Sequence, residues 1–290
     1  MSTKSASRQL RLWAFGDAHV GTDKRFGRRS LADAISQSEF GGSEGGPEHT
    51  RYSGVDANAR RYPVEGRWER YSFQIGNLLF LMMSDRNEPT QKIGRGTLGG
   101  NPGGVVSDET FQWWKTMVLD NPEAIIISVH HYVLKDTTVA SGEWEGLRRS
   151  ANGQWRTRYH HYFQQGTPQG ASYLYWVDSK PDSHAFEDFL TEHPRRVQMW
   201  IAGHTHTNPD DNYGGKTHIE RRWGTWFINA ASLSRYHMSR TTLPMSRLLT
   251  FTPDSRRVRV QCYLHTSQYA PQGWYPKAEK TITLDMPFRW

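Results

Sequence analysis

The chain has 290 residues, with 36 Lys and Arg against 29 Asp and Glu, a formal net charge of +7 and one cysteine. A single Cys excludes an intramolecular disulfide and a Cys-rich zinc site, and the longest purely apolar run, Leu78 to Met83, is far shorter than a membrane span. The length suffices to bury a sizeable core, and one domain over 1–290 is the simpler reading.

From the N-terminus, Met1 to Gln9 lacks the apolar core of a secretory signal, so a cytoplasmic location is expected. Leu10 to Phe15 reads as a buried strand closed by Gly16-Asp17-Ala18-His19. Ser30 to Glu39 is helix-like and runs into the Gly-rich loop Gly41-Gly42-Ser43-Glu44-Gly45-Gly46-Pro47. Glu69 to Ile75 and Leu78 to Ser84 read as a hairpin turned at Gly76-Asn77, with Asp85 and Asn87 at its exit. A Gly- and Pro-rich loop follows from Gly94 to Gly104.

Ser107 is suited to cap a helix that has Asp108 and Glu109 in its first turn, carries Phe111, Trp114, Met117 and Val118 at helical spacing, and ends near Asn121-Pro122. Ala124 to Val129 reads as a strand ending in His130-His131. The polar, aromatic stretch over 135–170, with Trp144, Trp155, Tyr159 and Tyr162, resembles a lid or substrate loop more than a linker. Ser183 to Leu190 suggests a second capped helix ended by Pro194, and Val197 to Ala202 a strand that presents Gly203-His204-Thr205-His206. Trp226 to Ala231, Leu248 to Thr252 and Val258 to Leu264 make the second half strand-rich, with a turn at Pro253-Asp254-Ser255. Cys262, in an alternating run, reads as a buried strand thiol.

The chemistry-bearing residues come as short pairs behind apolar runs: Asp17 and His19, His130 and His131, His204 and His206. In extended backbone, side chains at i and i+2 project to the same side, so two such pairs can grip one ion from the mouth of a sheet. Carboxylate with imidazole suits Mn, Fe, Co, Ni or Zn better than Mg or Ca. Taken singly, a histidine in such a setting is more often structural than a ligand.

In that order, Gly-Asp-x-His, a strand-terminal His and Gly-His-x-His resemble the signatures of calcineurin-like metallophosphoesterases, over roughly residues 10 to 235. The resemblance implies an α/β fold, a two-layer β-sandwich flanked by helices (α/β/β/α). It also implies a site for one or two divalent transition metals at the strand ends, and hydrolysis of phosphate mono- or diesters by a metal-activated water. Carried onto this chain, Asp17, His19 and His206 would hold one metal, and His204 with His130 the second. His131 would then be a catalytic or substrate-facing group, with the roles of the two adjacent histidines open to exchange.

The chain departs from the family pattern where Gly-Asp-x-x-Asp and Gly-Asn-His are expected, because neither occurs. The sequence resumes family-like at Glu48 to Asp56, which points to a deletion around 41–48 that removed a strand, a helix and two ligand loops. Two ions about 3.5 to 4 Å apart repel each other, so loss of the bridging carboxylate weakens their joint binding. Asp85 and Asn87, or Asp56 and Asn58, are candidate substitutes, although Asp and Asn after a strand are ordinary turn formers. Asp85 joins His131 as a catalytic candidate, and Asn87, Arg235 and Tyr236 are candidate phosphate contacts. His160, His161 and His218 are further candidates to line the pocket.

Two functions compete on these residues: metal-dependent hydrolysis of a small-molecule phosphate ester, and a degenerate relative that binds metal, ligand or partner without turnover. The positive charge favours anionic substrates. Arginine is dispersed rather than clustered, which argues against a nucleic-acid partner, and no membrane partner is expected. An edge left by a lost strand would favour a homo-oligomer.

Overall fold

The computed structural model describes residues 8–16, 65–67, 70–84, 105–142, 147–149, 155–157, 173–174, 176–177, 184–233, 243–265 and 272–290. Its strands in chain order begin with β1 (Leu10–Ala14), β2 (Glu65–Arg67), β3 (Arg70–Ile75), β4 (Leu78–Met83), β5 (Val105–Val106) and β6 (Ile125–Val129). There follow β7 (Val133–Leu134), β8 (Leu147–Arg149), β9 (Trp155–Thr157), β10 (Tyr173–Leu174), β11 (Trp176–Val177) and β12 (Val197–Ala202). The series ends with β13 (Ile219–Arg222), β14 (Thr225–Asn229), β15 (Met245–Phe251), β16 (Arg257–Leu264), β17 (Gly273–Trp274) and β18 (Lys280–Thr283). Two helices, α1 (Asp108–Asp120) and α2 (Ala185–Glu192), are described.

The chain is mixed α/β with two main sheets. The first has seven strands in the order β13-β14-β12-β6-β4-β3-β2, and its centre, β14-β12-β6-β4, is parallel. The second, β1-β15-β16-β17 with β18 also on β16, is antiparallel throughout. Three short two-stranded pairs, β5 with β11, β7 with β10 and β8 with β9, lie outside both.

The central strands are apolar on both faces because both are covered. In β4, Leu79, Leu81 and Met83 face the helices, while Leu78 and Phe80 face the second sheet. The inter-sheet core adds Ile125, Ile127, Met199, Ile201 and Ile228 from one sheet to Leu249, Phe251, Val258 and Val260 from the other. Helix α1 begins as its sequence directs: the Ser107 hydroxyl accepts a hydrogen bond from the Thr110 backbone N–H at 3.1 Å. Its Trp114 is fully buried among Phe186, Phe189 and Trp200 and donates its indole N–H to the Ser128 hydroxyl at 2.8 Å. Among the described residues, no helix is long and apolar enough to cross a membrane.

Several expectations need adjustment. Both described helices cover one face of the first sheet; the helix-like stretch at 30–39 and the expected junction at 41–48 lie outside the described residues. Helix α2 stops before Pro194 as read, but His184, not a Ser hydroxyl, precedes it and makes no side-chain cap bond. The expected strand at Trp226 to Ala231 runs from Thr225 to Asn229, since Ala231 takes a positive φ of 55° and ends the ladder. The expected lid region starts with structure: residues 137–142 are buried, with the Ser141 hydroxyl accepting from the Thr137 and Thr138 N–H groups and Val139 N–H donating to Thr217 O.

Gly76-Asn77 is the tight turn expected. Gly76 has φ +57°, and Asn77 brackets the C-terminal strand-like tail, donating to Pro287 O and accepting from Arg289 N–H. Cys262 is a buried strand thiol, as read.

Two predictions follow from this packing. Trp114→Ala should lower unfolding free energy by about 3–5 kcal/mol in a urea titration, because a large buried ring and its hydrogen bond are both lost. His265, buried beside the Ser246 hydroxyl, is pushed down to about 4 by desolvation from an ordinary 6.5. Below pH 6.5 the unfolded chain takes up this proton and the native one does not until about pH 4, so stability falls as pH drops through that window and is unaffected above it. Denaturant titrations across it should show a loss approaching about 3 kcal/mol from this residue, absent in His265→Gln.

Candidate metal centre at the parallel strand ends

The four parallel strands end level. Met82 pairs with Val129, Val129 with Ile201, and Ala202 with Asn229. The ladder continues past the strands: His130 N–H donates to Ile201 O, Gly203 N–H to His131 O and Ala230 N–H to Ala202 O. The loops carrying His130-His131 and Gly203-His204-Thr205-His206 therefore leave the same edge side by side, where functional residues of α/β sheets usually gather.

Strand β1 belongs to the other sheet, yet its exit reaches this edge. Leu233 N–H donates to Gly16 O at 2.9 Å. A Cβ added at Gly16 would stand 3.1 Å from Gly203 Cα and 3.2 Å from Ala231 O, so the glycine immediately before Asp17 is packed against the glycine immediately before His204.

His131 and His204 meet, with Nε2 of one 3.1 Å from Nδ1 of the other, and Tyr132 lies against both rings at centroid separations of 4.9 and 4.1 Å. His130 is turned away into a buried setting, where its Nδ1 accepts from the Tyr132 N–H at 3.0 Å. Tyr132 O is also 3.3 Å from that nitrogen, but an N–H can only donate, so the lone pair is on Nδ1 and the neutral ring carries its proton on Nε2.

The second His loop is tightly wound. Thr205 N–H donates to Gly203 O and Thr207 N–H to Thr205 O, and His204 takes φ +66° at the centre of the first three-residue turn. A non-glycine residue there costs about 1 kcal/mol. The alternating threonines hold it: Asn229 donates to the Thr205 hydroxyl at 2.6 Å and to that of Thr138 at 3.2 Å, while its own oxygen accepts from Ala231 N–H. The Thr207 hydroxyl contacts His218 Nε2 at 2.9 Å. Burial, then the nearby Arg247, holds His218 well below its ordinary titration range, so it is neutral.

Of the residues singled out in the sequence, the structure brings together His131 and His204 and buries His206 (4% exposed) two positions on. Asp17, His19, Asp85, Asn87, Arg235 and Tyr236 lie outside the described residues, as do His160, His161, Asp56 and Asn58. His218 supports the loop from behind instead of lining a pocket. Among the described residues, no three His, Cys, Asp or Glu side chains gather into a group that could hold a metal. Thr138, Thr205, Thr207, Asn229 and Tyr132 escaped the sequence reading; the alternation His-Thr-His-Thr over 204–207 was the available signal for two of them.

No family model matches the chain, and no curated protein does. Among solved structures, a single mutant of Vps29 from Entamoeba histolytica is 14% identical, covering 71% of this chain and 99% of its own, with a TM-score of 0.23. That superposition is too loose to define a fold.

Gly16→Ala should destabilise by roughly 1–3 kcal/mol, because the methyl meets backbone on both sides and cannot be accommodated by a rotamer change. A urea titration beside the parent checks it, and an unchanged midpoint would show the two sheets part easily at this point.

Proposed function

We propose that this edge is the metal centre of a calcineurin-like phosphoesterase that hydrolyses small-molecule phosphate mono- or diesters. The observation that carries the reading is the meeting of three sequence-remote motifs at one point, through the Gly16 contact with Gly203 and the His131 contact with His204.

The donor chemistry fits a divalent transition metal. Two nitrogens sharing one ion at about 2.1 Å sit about 3.0–3.4 Å apart, which brackets the 3.1 Å between His131 Nε2 and His204 Nδ1. His131 thereby becomes the ligand partner of His204, and His130, whose Nε2 carries the proton, is the structural member of the pair. Asp17, His19 and His206 are the further donors that the sequence resemblance implies for this site. When bound, the metal would polarise a phosphoryl oxygen and lower the pKa of a bound water. The chain's own part is to hold the imidazoles: the Thr205 and Thr207 contacts fix the loop, and the Tyr132 ring restricts His204.

A second reading is a binding module without turnover, and it is favoured by the sequence, which lacks the Gly-Asp-x-x-Asp and Gly-Asn-His motifs of the family it resembles.

Metal content per chain after reconstitution with Mn, Fe or Zn, measured beside turnover of aryl phosphate mono- and diesters, separates the two. Hydrolysis should require metal and fall more than about 100-fold in Asp17→Ala, His131→Ala and His204→Ala, while His130→Gln leaves metal content unchanged. Metal binding without turnover in the parent would establish the binding module, and neither would overturn both.

A further inference from the structure

We propose that the Arg247 guanidinium is the anchor of an internal site for a small monovalent anion of the halide class, on the inner face of the second sheet behind the histidine loop. Arg247 is on β15 between Met245 and Leu249, on the face that packs into the sandwich, and it is 0% exposed. Its Nη1 donates to Ala278 O at 2.8 Å. Its Nε and Nη2 have no hydrogen-bond partner among the described residues.

Those two nitrogens form the side-on fork with which a guanidinium takes an anion. The protein shows the fork in use one strand away, where Arg259 donates through Nε and Nη2 to the two oxygens of Glu279 at 2.6 and 2.9 Å. Glu279 directly follows Ala278, so two arginines converge on one turn; one obtains its carboxylate and the other only a carbonyl.

Arginine cannot shed its proton at any relevant pH, and a buried charge without a counter-charge is strongly disfavoured. Among the described residues, no carboxylate forms an ion pair with Arg247. Its titratable neighbours are His218, held neutral, and the Cys262 thiol directly opposite in the β15–β16 register. Burial raises the thiol's pKa, the nearby guanidinium notwithstanding, so the thiol is protonated and supplies no charge. The residues paired across from Arg247 on either side, Ala14 and Cys262, are small, and a small anion asks the least room beside the fork.

The test compares thermal melting in potassium chloride with potassium gluconate at matched ionic strength, because gluconate is too large to enter. The parent should gain roughly 5 °C at saturating chloride, with a saturable dependence, and Arg247→Met should show no difference between the salts. Crystals grown in bromide should give an anomalous peak within hydrogen-bond distance of Nε and Nη2. Should Arg247→Met fail to fold, the parent, Arg247→Lys and the bromide peak still decide the matter. Identical melting in both salts with only water at the fork would overturn the proposal. So would a thiolate absorbance that vanishes in Cys262→Ser, since the counter-charge would then be internal.

Discussion

Everything at the candidate site depends on the backbone ladder not stopping where the strands do. His130 N–H to Ile201 O, Gly203 N–H to His131 O and Ala230 N–H to Ala202 O carry the parallel pairing one or two residues beyond β6, β12 and β14. Loops that leave a sheet are usually free to diverge. Here their first residues remain strand-like neighbours, and side chains more than seventy positions apart in sequence are brought to hydrogen-bond distance.

That ladder is rigid because both faces of the parallel strands are packed. Trp114, Phe186, Phe189 and Trp200 fill one side and the inter-sheet core the other, and a close-packed interior transmits position without slack. The two sheets are then tied at the site itself, where Gly16 lies on Gly203 with no room for a side chain. The positive φ of His204 and Ala231 is the cost of turning sharply at this junction, and it is offset by two buried hydrogen bonds of Asn229, which donates to the Thr205 hydroxyl and accepts from the Ala231 N–H. The hydroxyls of Thr205 and Thr207 are held by Asn229 and His218, so the histidine loop is positioned from behind.

The two buried basic side chains behave differently. His218 is neutral in its hydrogen-bonded setting, whereas Arg247 cannot neutralise and, among the described residues, bonds through Nη1 alone inside the sandwich. A permanent charge between two sheets marks a place where the fold has traded stability for something other than packing.

Much of this was legible in the sequence. The largely apolar runs 78–83, 125–129 and 197–202 announced strands buried on both faces, and Ser107 announced a helix start, because period and cap signals are local properties of the chain. The strand β13 was not legible, since Ile219-Glu220-Arg221-Arg222 is a polar edge whose pairing with β14 is decided by the partner. Nor did the sequence say which of His130 and His131 meets His204 and which receives the Tyr132 N–H. Nor could it single out Arg247 among so many dispersed arginines, because burial is a property of the assembled sandwich. Residue types and their spacing determined the elements and the kind of chemistry. Which groups face each other, and which charge is left without a partner, only the tertiary structure decided, since those contacts join residues that no local interaction brings together.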